Sequence, residues 1–331
     1  MQSLEPIPVH DVGAAYPLET LELEEARAHA LIDGATAHVP RAALRTLDAV
    51  SRRWLAKQDS VHLDEIDAIA ARLGRPGAYF LSVNYEWGCT CRVAPSPEGK
   101  TARLVRVLDW VTEGLGRYVI AARVASDAGP FVTLTWPGYT GVLQGMAPGR
   151  FSAALNQAPM RPVWGQFHLD WAVNRGRIWR MKHLTPAHLL REVFETAASF
   201  GEAKRMLTER PISTPAIFTL AGLKPSETAV IERTETEARV HEGCNAAANH
   251  WQAPGWSGYS RGLDSAGRAC LMHQVSTALD PSFAWLKPPI RNWNTRLVMV
   301  ADASEGRLVA QGYEVDGRTT APATAPLELT A

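Results

Sequence analysis

The chain has 331 residues, and its 34 Lys+Arg balance 34 Asp+Glu, so it lacks the basic excess that nucleic-acid binders use. Hydrophobic residues make up 46% and charged residues 21%, the composition of a folded globular chain and not of a disordered one. A chain this long builds a core without disulfides, no apolar run approaches the roughly 18 residues of a membrane span, and the first residues lack the basic and apolar regions of a secretory signal. The expected compartment is therefore the cytoplasm, with neither nucleic acid nor an integral membrane anchor as partner.

Residues 18–74 read as helical. After Pro40, the residues Leu44, Leu47, Trp54 and Leu55 share one face; from His62, Leu63, Ile66, Ile69 and Leu73 recur at three- to four-residue spacing until Gly74 ends the run. Pro76-Gly77 breaks the chain before a short apolar stretch over 79–83. From Cys89 onward the period shortens, and β-like segments follow at 104–110, 118–124, 131–136 and 151–155. A helix is predicted over 186–207, with Leu189, Leu190, Val193, Phe194 and Ala197 facing inward. Strands are predicted at 216–221, 228–233 and 236–241, then a helix from near Asp264 and a closing hairpin over 295–302 and 307–313. The Thr/Ala/Pro-rich tail from Arg318 is expected to be loose. Strands in groups with helices between them predict an α+β fold of stacked sheets covered by helices.

Four cysteines are present, Cys89, Cys91, Cys244 and Cys270, read as thiols in a reducing compartment. The Cys-x-Cys spacing without a second paired motif argues against structural zinc, and no metal or bound cofactor is expected. The histidines are scattered, with no H-E-x-x-H and no Gly-x-Ser-x-Gly elbow.

The stretch Asn84-Tyr85-Glu86-Trp87-Gly88-Cys89-Thr90-Cys91, followed seventeen residues after Cys89 by Arg106-Val107-Leu108-Asp109-Trp110, carries the chemistry. So do Pro137-Gly138-Tyr139-Thr140-Gly141 through Gly149, Leu155-Asn156, Ala248-Asn249-His250-Trp251 and Asp264-Ser265-Ala266-Gly267-Arg268. In this order the motifs resemble the acid ceramidase and N-acylethanolamine acid amidase group, and more distantly the penicillin V acylases and bile-salt hydrolases. All are N-terminal-nucleophile hydrolases of the cysteine type. The resemblance runs from about residue 62 to 313 and implies a four-layer αββα sandwich. It also implies self-cleavage of the Gly88–Cys89 bond into an α chain of residues 1–88 and a catalytic β chain of residues 89–331.

The residues suit that chemistry. A thiol is a weak nucleophile until deprotonated, and an α-amino group with a pKa near 7.7–8.0 is a base poised for neutral pH. A cysteine at a new chain start supplies both, and Gly88 offers little obstruction to attack on its own carbonyl. Arg106 and Asp109 are three apart on a predicted strand and project from opposite faces unless a bulge intervenes. By resemblance, Arg106 would sit beside the thiolate, Asp109 would hold the new amino group, and Asn156 and Asn249 would donate N–H groups to the oxyanion. Arg268 would assist the electrostatics, and Trp110, Tyr139, Gln157 and His250 would line the substrate pocket. Two departures stand out. Gln157 occupies a position where the ceramidase branch usually carries Glu, which speaks against acid-triggered activation, and Cys91 replaces a common serine. The implied reaction is hydrolysis of a small-molecule N-acyl amide, with a fatty acyl group among the candidates. The alternatives are acyl transfer to an amine and an unprocessed, non-enzymatic relative; a homo-oligomer is left open.

Overall fold

The computed structural model describes residues 4–57, 60–82 and 87–331. The N-terminal part comprises β1 (Val9–Gly13), α1 (Leu18–Leu23), α2 (Glu25–Thr36), α3 (Arg41–Lys57), α4 (Leu63–Leu73) and α5 (Ala78–Ser82). Then come β2 (Trp87–Pro95), β3 (Ala102–Trp110), β4 (Ile120–Val124), β5 (Phe131–Thr135), β6 (Gln144–Ala147), β7 (Phe151–Gln157), α6 (Phe167–Ile178), α7 (Pro186–Thr196) and α8 (Phe200–Glu209). The chain finishes with β8 (Ala216–Ala221), β9 (Thr228–Arg233), β10 (Ala238–Glu242), β11 (Asn245–Ala247), α9 (Ser265–Met272), β12 (Thr295–Asp302), β13 (Arg307–Asp316), β14 (Thr319–Pro322) and β15 (Leu327–Thr330).

Two sheets stack. The first runs β1-β4-β5-β6-β7-β8-β9-β10; the second runs β11-β2-β3-β12-β13-β14, with β15 also paired to β13. Their facing sides share one core, in which Leu104 and Leu108 of β3 and Met299 of β12 meet Leu155 of β7 and Phe218 of β8. Helices α7 and α8 cover the far side of the first sheet, where Phe194 of α7 packs its ring 5.2 Å from those of Phe131 and Phe151. The far side of the second sheet is apolar as well. Val105, Val107, Val298 and Val300 bury against Met272 of α9 and against Phe283, Leu286 and Ile290 of the irregular segment that follows it. Alternate residues of β3 thus serve two different cores, as the period of two in a strand requires. The result is the four-layer αββα arrangement that the sequence resemblance implies.

Several elements differ from expectation. The predicted helix over 186–207 is two helices, because the chain turns at Ala197 and restarts where Ser199 accepts the Glu202 N–H and Glu202 returns a bond to Ala198 N, a capping arrangement legible in Ser-x-x-Glu. The tail after Arg318 is not loose: β14 and β15 both pair with β13. Strand β1 pairs in parallel with β4, although only Val12 of its five residues is buried. Helix α6 buries only Asp170, so it shows no apolar stripe from which to predict it. The apolar stretch over 79–83 is largely α5, and Val83 lies outside the described residues.

The N-terminal part is tied tightly to the rest. The Tyr16 hydroxyl donates to the carbonyl oxygens of Tyr139 and Gly141 at 2.9 and 2.8 Å. Arg191 on α7 grips both carboxylate oxygens of Glu65 on α4 at 2.6 and 2.8 Å and lies over the Tyr16 ring. Trp54 of α3 donates to the Ile178 carbonyl at the end of α6.

Candidate active site

Strand pairing sets the site. On β2 and β3, Gly88 faces Asp109, Cys89 faces Leu108 and Cys91 faces Arg106. Cys89, Cys91 and Arg106 therefore project between the sheets, while Asp109, three residues beyond Arg106, belongs to the opposite face, where α9 lies. All four are buried.

The Cys89 nitrogen donates to Asn249 Oδ1 at 2.7 Å, and its sulfur lies 3.8 Å from the Leu155 carbonyl oxygen. Burial pushes the thiol up to about 12, against which the Arg106 guanidinium works in the opposite direction. Within the continuous chain Cys89 is thus a neutral thiol whose nitrogen is an amide, and neither group is an activated nucleophile or base. Arg106 donates to Asn156 Oδ1 at 2.6 Å, to the Leu155 carbonyl at 2.9 Å and to the Cys91 sulfur at 3.4 Å. The Cys91 thiol in turn donates to Asn156 Oδ1 at 3.0 Å.

Asp109 accepts from Thr295 Oγ1 at 2.9 Å and Asn292 Nδ2 at 3.1 Å, with Arg268 Nη1 at 3.5 Å. Burial raises its pKa, and Arg268, Asn292 and Thr295 offset part of the rise. Arg268 is the strut of the site. It reaches the Cys89 carbonyl at 2.6 Å, Thr90 Oγ1 at 2.7 Å, Asn249 Oδ1 at 3.0 Å and the carbonyls of Arg261 and Leu263. Such close approach needs glycine at two points. A Cβ on Gly88 would stand 3.3 Å from the Asp109 Cβ and 3.4 Å from the Gly262 Cα, and one on Gly262, whose φ is +69°, would stand 2.8 Å from the Arg268 guanidinium.

The two asparagines differ: Asn156 Nδ2 donates to both the Ala247 and Ala248 carbonyls at 3.2 and 3.1 Å, whereas Asn249 Nδ2 gives one of its two hydrogens to the Gln157 carbonyl at 2.7 Å. Towards the Cys89 nitrogen, Asn249 presents an acceptor. The amide orientations follow from these networks. Gln157 Oε1 accepts the Trp87 N–H at 2.8 Å, so this side chain holds the strand just before Gly88. His250 Nδ1 shares a 2.8 Å bond with Ser265 Oγ, and its ring is half-buried.

Two cavities lie on either side of the Trp87–Trp110 pair at the start of β2 and the end of β3. One lies between α3, α6 and the end of β7, with Trp54, Trp87, Gln157, Trp171 and Arg175 among its walls. The other is largely apolar, enclosed by α2 and α4 with Trp110, Trp136 and Tyr139. Trp87 and Trp110 stack at 4.9 Å and form the partition. Trp110, Tyr139 and Gln157 thus line cavities, whereas His250 is in neither wall. Asn84, Tyr85 and Glu86 lie outside the described residues. Among the described residues, no cluster of three or more His, Cys, Asp or Glu could hold a metal, and no helix is long and apolar enough to cross a membrane. Sequence reasoning missed Asn292 and Thr295, and it gave no separate role to Thr90 within its motif. Nothing local marks Asn292 and Thr295, because each acts through Asp109, more than 150 residues away in the chain.

Two stacked sheets covered by helices on both outer faces make a four-layer sandwich, and a cysteine lies near the start of an inner strand. This fold is shared with the solved structure of a Caenorhabditis elegans N-acylethanolamine-hydrolyzing acid amidase ortholog, which aligns with a TM-score of 0.51 at 22% identity, over 65% of this chain and 93% of that one. In sequence the chain is 31% identical over 121 residues to acid ceramidase from Homo sapiens, a match spanning 37% of this chain and 29% of that protein. It is 27% identical over 203 residues to the N-acylethanolamine-hydrolyzing acid amidase of Caenorhabditis elegans, spanning 57% of this chain and 55% of that protein. The matched regions thus span less than two thirds of these curated relatives. No family model matches.

Proposed function

We propose that the chain is an amidohydrolase acting on linear amides, which first cuts its own Gly88–Cys89 bond and then uses Cys89 as a nucleophile carrying its own base. The observation that carries this reading is the setting of Cys89: its nitrogen on Asn249 Oδ1, its thiol between the sheets beside Arg106, and a preceding glycine packed against Asp109. The similarity to acid ceramidase and to N-acylethanolamine-hydrolyzing acid amidase supports it.

In self-cleavage the Cys89 thiol attacks the Gly88 carbonyl carbon and the Gly88 C–N bond breaks, so the proton lost from sulfur ends on the released Cys89 nitrogen. Water then hydrolyses the thioester, leaving a Gly88 carboxylate and a Cys89 α-amino group. That amine, with a free pKa near 7.7–8.0, is the base that the uncut chain lacks. It takes the thiol proton through a water, the sulfur attacks the substrate acyl carbon, and the substrate C–N bond breaks as the proton passes to the leaving amine; water then hydrolyses the acyl thioester, releasing the acid and restoring the Cys89 thiol. Arg106 favours the thiolate and Asn249 Oδ1 keeps the amine aligned. For Asn156 to serve the oxyanion its Nδ2 must leave a carbonyl partner, whereas Asn249 Nδ2 has a second hydrogen beside the one given to the Gln157 carbonyl. The apolar cavity beside Trp110 and Tyr139 suits an acyl chain, so the substrate is an N-acyl amide.

A denaturing mass spectrum after incubation at pH 5 and at pH 7.5 tests the reading. Two chains corresponding to residues 1–88 and 89–331, absent from the Cys89→Ala variant, are expected. A single intact chain at both pH values overturns self-processing.

A further inference from the structure

The side chain that aligns the Cys89 nitrogen is itself held from behind. Asn249 presents Oδ1 to Cys89 N, and its own main-chain N–H donates to Ser265 Oγ at 2.8 Å. Ser265 is the first residue of α9 and is buried, and the same hydroxyl oxygen stands 2.8 Å from His250 Nδ1. A hydroxyl has one hydrogen and two lone pairs. With one lone pair used by Asn249 N–H, the bond to His250 is made economically only when Ser265 donates its hydrogen and Nδ1 accepts, which requires a neutral ring. Three residues on, Arg268 locks the other side of the same asparagine by donating to Oδ1 at 3.0 Å. The start of α9 thus grips Asn249 by main chain and side chain together.

We propose that Ser265 is a positioning residue, coupled to His250, that fixes Asn249 against the nitrogen of the nucleophile, and that protonation of His250 loosens this alignment. The inference rests on the self-processing reading above. Protonation would place a second N–H on Ser265 Oγ and force its own hydrogen off the bond to His250. The surroundings favour the neutral ring: burial and the positive charge of Arg268 on α9 disfavour the imidazolium, opposed by Glu232 on β9. Glu232 is itself engaged by the Gln252 and Ala253 N–H groups and by His241 of β10. The acid limb of self-cleavage, which does not use the Cys89 amine as base, is therefore assigned to His250 and falls below the ordinary histidine value of about 6.5.

The test follows the rate at which freshly prepared intact chain becomes the 1–88 and 89–331 chains, by mass spectrometry between pH 5 and 8. Ser265→Ala is expected to slow this about tenfold, since an unpaired buried N–H is felt on that scale, and Ser265→Thr, which keeps the hydroxyl, is expected to restore it. His250→Gln, which retains an acceptor but does not titrate, is expected to flatten the acid limb. A parent that processes while Ser265→Ala matches its rate, or while the acid limb survives His250→Gln, overturns the inference and leaves the self-processing reading standing. A parent that stays intact at every pH overturns that reading and the inference with it.

Discussion

Replacing Gly88 by alanine tests how closely the chain is packed around the Gly88–Cys89 bond, the proposed site of self-cleavage. The new Cβ would lie 3.3 Å from the Asp109 Cβ, 3.4 Å from the Gly262 Cα and 3.7 Å from Asn249 Oδ1. Carbon pairs settle at about 3.5–4.0 Å, so the first two contacts are short by a few tenths of an ångström. Neither neighbour is the free end of a flexible side chain, so relief must come from the spacing of β2 and β3 or from the loop at Gly262. Forcing a methyl group into such a place costs about 1–3 kcal/mol. The gain from a less flexible unfolded chain returns about 0.4–1 kcal/mol, and Gly88 is not at a positive φ that would cancel that gain. The net expectation is a loss of about 1 kcal/mol. It is read by urea unfolding in a Cys89→Ala background, where both chains stay intact and are compared like for like. With Cys89 restored, the same substitution should slow appearance of the 89–331 chain, because Asp109 and Asn249 move relative to the scissile bond. A Gly88→Ala protein as stable as its parent or more so would refute the tight approach from which the cost was worked out.

Cys89→Ala should abolish both self-cleavage and amide turnover, assayed by mass spectrum and by acid release from an N-acyl amide. Cys91→Ser should leave cleavage nearly intact because a hydroxyl still donates to Asn156 Oδ1, whereas Cys91→Val should remove that donor and lower unfolding free energy by about 1 kcal/mol. His188 is buried, bonded to Thr140 and flanked by His62 and Arg191, and burial first, then these neighbours, hold its pKa well below 6.5. An unfolded histidine binds its proton at about 6.5 and the folded one does not, so stability contributed by neutral His188 is lost as pH falls below that value. In urea titrations from pH 7.5 to 5, His188→Gln should show a shallower loss than the parent. Glu65 loses its contribution in the same direction but lower in pH: burial raises its pKa, His62 and Arg191 outweigh that rise, and the net lowering means the contribution is lost only as pH falls below about 4.5. Glu65→Gln should remove that lower step and leave the histidine step in place.

What was legible in the sequence divides along physical lines. Elements with one strongly apolar face were visible: the regular spacing of Ile66, Ile69 and Leu73, or of Leu189, Leu190, Val193 and Phe194, reports a helix seated on a core. Strand β1 and helix α6 were not, since each buries a single residue and so leaves no periodic record. The tail misled because Thr, Ala and Pro suggest looseness, whereas its backbone pairs with β13 and pairing does not depend on side-chain type. At the site, strand alternation correctly set Arg106 and Asp109 on opposite faces. The direction in which each amide points was beyond reach, because it depends on which carbonyls and donors β7, β11 and α9 bring together. Asn249 as an acceptor, Gln157 as the partner of Trp87 N–H and Ser265 behind Asn249 all follow from that assembly.

Strand β1 has one more consequence. It closes the side of an eight-stranded sheet that would otherwise present the unpaired N–H and C=O groups of β4 to solvent. Bare sheet margins of this kind template pairing between molecules. At the opposite margin, β10 carries Arg239, His241 and Glu242, charges that discourage such pairing, whereas β4 is largely buried and apolar and carries a single charge, Arg123. Residues 9–13 therefore act as a guard against self-association, and deleting them should leave a chain that aggregates before it unfolds.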